Sequence, residues 1–263
     1  MVLLSFDTEE FDVPKEHGVD FSLEEGIKVS IDGTNRILDV LTKTGVKATF
    51  FCTGNFVKNA PYVMKRIVDE GHEVACHGVD HWKPKDTDFR ESKEILEAHM
   101  GVKVYGYRQP RMFSVSEEEI ATAGYIYNSS LNPAFIPGRY MHLTTPRRCF
   151  MKGNVLQIPA SVTPIFRIPL FWLALHNFPV SFYLFLVRRV LSNVGYFVTY
   201  FHPWEFVELK QHPEWKMPFI IKNNSGQDMC DRLERLINWL KADGHSFVHY
   251  TEFANQKIEE LSK

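Results

Sequence analysis

The sequence predicts an α/β fold in which a parallel sheet closes into a barrel, and three observations carry the prediction. Short apolar or β-branched runs alternate with helical stretches seven or eight times along 263 residues. Polar residues gather where these runs end: Asp7 with Glu9, His77 with His81, Arg108, and His202. Core packing does not explain polar groups at four separate strand ends, whereas a barrel places its chemistry at the C-terminal ends of its strands.

Taken in order, the opening run alternates, with Leu3, Ser5, Asp7 and Glu9 on one face and Val2, Leu4, Phe6 and Thr8 on the other. Glu10 falls on the opposite face from Glu9. Residues 11–29 show no period and read as a loop. Ser30 or Asp32 can cap a helix that Gly45 stops. Strands follow at 46–51 and 72–76, separated by a helix over 61–70. A helix over 88–100 and a strand over 102–107 come next, then a helix opened by Ser116 and closed at Gly124. Two short strands are expected at 125–127 and 155–158, and a β-rich run at 196–201. A charged amphipathic helix over 227–242 and a last strand over 247–250 complete the pattern. No repeat or low-complexity linker divides the chain, so residues 1–263 read as one domain.

An apolar content of 44% supports a full core, and a formal charge of −2 gives no reason to expect a nucleic-acid partner. The four cysteines, at 52, 76, 149 and 230, have no C-x-x-C spacing and read as reduced thiols of a cytoplasmic protein. The first residues lack the basic segment and cleavage site of a secretion signal. From Ile168 to Val187 no residue is charged, and Arg167 and Arg188-Arg189 flank the run. Pro169, His176, Asn177 and Pro179 interrupt it, so a spanning helix is not expected. It reads instead as an apolar helical insertion around 164–190. That insertion could pack on the barrel, form a homo-oligomer interface, or rest peripherally on the inner face of a membrane.

The motif with the most chemical content is His77-x-x-x-His81. Two imidazoles and a carboxylate from the Asp7-Thr-Glu9-Glu10 cluster make an open site for a divalent transition metal. Zn fits best, and Co, Ni or Fe suit the same donors.

At these residues the sequence resembles the polysaccharide deacetylase family, which shares the nodulation-factor deacetylase homology region. The stretches that carry the likeness are Phe6-Asp7-Thr8-Glu9, His77-x-x-x-His81, Tyr107-Arg108-Gln109-Pro110, Phe201-His202 and Ala48-Thr49-Phe50-Phe51. The resemblance implies a distorted (β/α) barrel of about seven parallel strands. It implies Glu9, His77 and His81 as metal ligands, Asp7 as general base, Arg108 as the group that steadies Asp7, and His202 as general acid. The family's Asp that holds the acid His has no clear counterpart; Tyr127-Asn128 stands near the expected place. Arg111 replaces a usual aromatic residue and suggests an anionic feature in the substrate, while Trp82, Trp172 and Trp204 could stack on a sugar or fill the core.

The expected activity is metal-dependent hydrolysis of an N-acyl, chiefly acetyl, group on an amino sugar of a glycan or a lipid-linked sugar. Two alternatives remain open: an allantoinase-like amidohydrolase acting on a small cyclic or linear amide, and a catalytically inactive sugar-binding barrel.

Overall fold

The structure, a computed structural model, describes residues 1–85, 88–136 and 140–263. In chain order the first half runs β1 (Val2–Thr8), α1 (Val13–Glu16), α2 (Leu23–Thr44), β2 (Thr49–Cys52), α3 (Gly54–Asn59), α4 (Pro61–Asp69), β3 (Glu73–Cys76), α5 (Phe89–Met100), β4 (Gly106–Tyr107) and α6 (Glu117–Thr122). The second half runs β5 (Tyr127–Asn128), β6 (Phe135–Ile136), β7 (Tyr140–Met141), β8 (Phe150–Lys152), β9 (Val155–Gln157), α7 (Trp172–Asn177) and α8 (Val180–Val194). It ends with β10 (Phe197–Phe201), α9 (Phe219–Lys222), α10 (Gln227–Ala242) and α11 (Tyr250–Leu261).

The main sheet has the order β10-β1-β2-β3-β4-β5-β9-β8. All its ladders are parallel except the β8–β9 hairpin. The expected distorted barrel of about seven parallel strands is therefore present, with one antiparallel strand added at its edge. No ladder joins β9 to β10. Ser161 bridges that gap: its N–H donates to the Val198 carbonyl at 3.0 Å, and its hydroxyl accepts from the Val198 N–H at 2.9 Å.

The alternation in β1 sorts two layers. Leu3, Phe51, Ala75, Tyr127, Leu156 and Val198 form a cluster inside the barrel, and Tyr250, Phe253 and Ala254 of α11 plug its floor. Val2, Leu4, Phe6, Phe50 and Val74 point the other way and pack under the helices. Charged Arg108 belongs to the interior, where its guanidinium lies 3.9 Å from the centre of the Phe51 ring.

Several boundaries differ from the sequence reading. The second half of the expected loop over 11–29 is helix: Ser22 and Glu25 form a reciprocal capping box that starts α2 at Leu23. The strand expected over 102–107 shrinks to two residues, because the Glu97 carboxylate takes the Val104 N–H at 3.0 Å. The strand expected over 247–250 is a single bridge, Val2 to Phe247, and Tyr250 already opens α11. The apolar stretch forms α7 and α8 within the β9-to-β10 crossover, with Leu170, Phe171, Leu175, Tyr183 and Val187 buried.

Gly33 of α2 faces the Pro203 backbone so closely that a Cβ would sit 1.8 Å from the Pro203 carbonyl oxygen. This contact seats α2 directly against the segment that follows His202. Alanine favours an open helix by roughly 1 kcal/mol over glycine. Here the steric cost, about 1–3 kcal/mol for overpacking, wins. Gly33→Ala is accordingly expected to lower the thermal midpoint by several degrees in calorimetry; an unchanged or raised midpoint would show that the backbone contact carries no weight.

Candidate active site

The parallel register brings the C-terminal ends of β1, β3, β4 and β10 to one end of the barrel. They surround a cavity of about 430 Å³ lined by Asp7, Glu9, His77, His81, Arg111, Tyr200 and His202. His77 follows β3 directly, and Gly78, at φ +71°, turns the chain toward His81. The carbonyls of Gly78 and Val79 accept from the N–H groups of Gly54 and Asn55 at the start of α3, each at 2.9 Å. This loop, rather than a helical turn, sets the two imidazoles 5.9 Å apart, nearly parallel.

Glu9 Oε2 lies 3.2 Å from His77 Nε2 and 3.1 Å from His81 Nε2. The opposite nitrogen of each ring meets an acceptor: His77 Nδ1 is 2.7 Å from the Arg108 carbonyl, and His81 Nδ1 is 2.7 Å from Asp12 Oδ2. Donation from Nδ1 leaves the Nε2 lone pair of each ring facing the Glu9 carboxylate. Glu9 Oε2 is buried and has no hydrogen-bond donor. Three convergent buried acceptors are the electrostatic signature of a cation site, and the donor set suits a divalent transition metal. Among the described residues this triad is the group of metal-ligating side chains that converges closely enough to hold one. Burial opposes protonation of His81, but Glu9 and Asp12 outweigh it and raise its pKa to about 9. Their excess negative charge favours a cation at the same place. Cys76 is not a fourth ligand: it packs in the outer layer, and burial pushes its thiol up to about 11.

Asp7 and Arg108 form a buried ion pair beside the triad. Arg108 also donates to Ser5, to Ser129 and to the Tyr250 hydroxyl. Burial opposes the Asp7 charge, yet Arg108, His77 and His202 outweigh it and hold the carboxyl below its ordinary value. Its second oxygen lies 4.0 Å from His202 Nε2.

The partner of His202 is Glu205, which the sequence reading does not identify. Glu205 Oε1 accepts from the His202 backbone N–H at 2.6 Å and from Nδ1 at 2.8 Å. Glu205 Oε2 lies 3.0 Å from His176 Nε2, and His176 Nδ1 lies 2.6 Å from the Asn223 carbonyl. Glu205 and His176 are both fully buried. Burial lowers the pKa of His202, but the Glu205 hydrogen bond, reinforced by the charges of Glu9, Glu205 and Asp7, raises it overall. Tyr127-Asn128, near the place expected for an acidic partner, is engaged elsewhere: Asn128 pairs with Gln157 and Ser130. The signals for the real network were the His-x-x-Glu spacing at 202–205 and a lone histidine inside an apolar run.

Of the three residues expected to bind substrate, Arg111 and Trp204 line the cavity and Trp82 does not. Arg111 lines the cavity but forms ion pairs with Asp12 and Glu16 and lies over the Trp82 ring, so its charge is neutralised within the protein. It and Met112 hold left-handed backbone, φ 58° and 55°, without being glycine. Trp82 sits between Arg111 and Lys15 and is not part of the cavity lining. Trp204 touches the cavity, but it is buried and stacks on the His202 ring at 5.0 Å, where it fixes the plane of that imidazole.

Residues 12–117 match the family model for polysaccharide deacetylase. The matched span includes His77, His81 and Arg108; Asp7 and Glu9 precede it, and His202 follows it. Among curated relatives, the chain is 50% identical over 48 residues to a peptidoglycan-N-acetylmuramic acid deacetylase of Bacillus subtilis, covering 18% of each chain. It is 52% identical over 48 residues to a chitooligosaccharide deacetylase of Bradyrhizobium, covering 18% of this chain and 22% of that one. These alignments therefore span about a fifth of the relatives' own lengths. A Mycobacterium smegmatis crystal structure, provisionally described as a polysaccharide deacetylase, superposes with a TM-score of 0.67 at 18% identity, covering 99% of this chain and 91% of that one. At this identity the likeness concerns the fold.

Two measurements check the site. Asp12→Asn leaves all three ligands in place but weakens the acceptor that fixes His81, so metal affinity measured by chelator competition should fall about 10–100-fold. An unchanged affinity would remove Asp12 from the site. Glu205→Gln should lower the His202 pKa in an imidazole NMR titration, because it removes the charge that favours the imidazolium. The sign for stability follows: a pKa above the unfolded value of about 6.5 contributes stability fully present below that pH and lost as pH rises through the folded pKa. The variant should lose that window.

Proposed function

We propose that this chain, whose residues 12–117 match the polysaccharide deacetylase family model and whose barrel is like that of its structural relative, is a metal-dependent hydrolase that removes the N-acetyl group of an amino sugar. The observation that carries the reading is the convergence of Glu9, His77 and His81 in the cavity that also holds the Asp7–Arg108 pair and His202. Zn²⁺ is the cation we assign, held by Glu9, His77 and His81. When bound, such a cation supplies a polarised acyl carbonyl and a water of lowered pKa.

The chain's own residues supply the proton transfers. Asp7 is kept ionised by Arg108 and turns its second oxygen into the cavity, where it can take a proton from an attacking water. His202, kept protonated by Glu205 and held in plane by Trp204, donates a proton to the departing amine. Because the pKa of His202 is raised above the ordinary imidazole value, the rate should fall as pH climbs through that raised pKa, later than for an unshifted histidine. Tyr200, Trp172, Leu173, Met112 and Ile136 line the rest of a cavity whose volume is within the range of small-ligand sites.

The test is amine release from a panel of N-acetylated sugars and small cyclic amides, using protein of known metal content. Sugars should react, and loss of the amine product with Asp7→Asn should be about 10²–10⁴-fold while metal is retained. His77→Ala and His81→Ala should lose the metal itself. Reaction of the cyclic amides alone would favour the small-amide enzyme, and no reaction with metal loaded would favour a binding protein.

A further inference from the structure

An apolar face beside the site is not needed for the proposed hydrolysis. Between Glu119 and Glu205 the sequence contains no aspartate or glutamate, yet it carries Arg139, Arg147, Arg148, Lys152, Arg167, Arg188 and Arg189. In a chain whose overall charge is −2, this concentrates positive charge in one stretch. The same stretch exposes large apolar side chains: Ile165 is 80% exposed and Phe166 73%, with Phe182 and Phe185 also exposed.

These residues are contiguous. Ile165, Phe166, Ile168, Phe185 and Leu186 line a groove of about 450 Å³ rimmed by Arg189 and Asn193. Arg147 and Arg148 both bond to Asn193, at 3.2 and 2.6 Å. Arg189 stands 5.8 Å from the centre of the Phe185 ring. Among the described residues, Arg147, Arg148, Arg167 and Arg189 have no carboxylate partner, whereas Arg188 pairs with Asp243. Toward the active site, the Phe185 ring lies 6.4 Å from Phe182, and Phe182 lies 5.5 Å from Phe178. The neighbouring Asn177 bonds the Ile220 carbonyl of α9 at 2.9 Å. Ile220 and Ile221 line the catalytic cavity, and Phe219 and Ile220 are exposed at its lip.

We infer that this face, from Ile165-Phe166 along the start of α8 to α9, docks on the surface of an anionic lipid bilayer. An apolar ridge bordered by unpaired arginines matches the boundary between acyl chains and anionic headgroups. Among the described residues no helix is long and apolar enough to cross a membrane, so the face lies in the interface. The cavity opens beside the docked face, which lets an amphiphilic substrate present its polar head while its apolar part stays in lipid. Docking itself does not depend on the proposed reaction.

Co-sedimentation of the full chain with mixed phosphatidylglycerol/phosphatidylcholine vesicles tests it, with pure phosphatidylcholine vesicles alongside. Binding should be strong on the mixed vesicles at low salt, weak on the neutral ones, and reduced by added salt. The Ile165→Ser/Phe166→Ser double variant changes only exposed side chains and should partition about tenfold less; Arg189→Gln should be weaker by a smaller factor. Unchanged circular dichroism would show that both variants fold. A wild-type protein that stays in the supernatant at low salt overturns the inference, as does equal binding to neutral vesicles. If sedimentation velocity shows a dimer that the double variant dissolves, a second copy of the chain covers this face instead.

Discussion

Arg108 is the constraint around which the barrel is arranged. It stands first among the largest fully buried side chains of the described residues, and its charge lies inside the barrel against that of Asp7. A guanidinium in that position is tolerable only if its donors are met, and β1, the residue after β5 and α11 each supply a partner through Ser5 and Asp7, Ser129, and Tyr250. Phe51 and Tyr200 present ring faces to it. Breaking a buried pair of this kind strands the remaining charge at a cost of about 3–5 kcal/mol. The guanidinium that pairs with Asp7 therefore also ties together strands of the barrel and its floor helix.

A second layer of carboxylates then positions the groups that face the cavity. Glu10 turns away from it and accepts from the His81 N–H at 2.8 Å, from Thr53 at 2.7 Å and from Asn55 at 3.1 Å. Asp12 fixes the His81 ring, and Glu205 fixes His202. Each is buried; Glu10 and Glu205 each accept three hydrogen bonds, and Asp12 meets both His81 and Arg111 through its Oδ2. Arg111 closes the arrangement by balancing Asp12 and Glu16, which accounts for its presence at the cavity wall without a free charge to offer a ligand.

The apolar crossover between β9 and β10 has two kinds of work divided between its faces. Leu170, Phe171, Leu175 and Tyr183 pack inward, and buried His176 reaches from the same segment to hold Glu205. Phe182 and Phe185 lie outward with Ile165 and Phe166. A single segment thus links the orientation of His202 to the exposed apolar face.

The sequence by itself determined the strand–helix rhythm, the face of β1 that carries Asp7 and Glu9, and the histidine pair that meets them. Those features are periodic or local: a two-residue alternation and a four-residue spacing survive in one dimension. The family resemblance pointed to Arg108 and His202, which the fold brings to the same cavity end as the triad. The start of α2 was also legible in the Ser22–Glu25 capping pair, though a loop reading passes over it. Only the tertiary structure decided the rest. Asp12, His176 and the Arg108 partners lie far along the chain from the groups they hold, and no spacing rule connects Tyr250 to Arg108. Arg111, Trp82 and Trp204 look like ligand contacts in sequence because exposed charge and aromatic surface suit a sugar. In three dimensions each finds a partner within the protein first, since a buried charge or ring near a cation site is stabilised by whichever complementary group the fold brings closest.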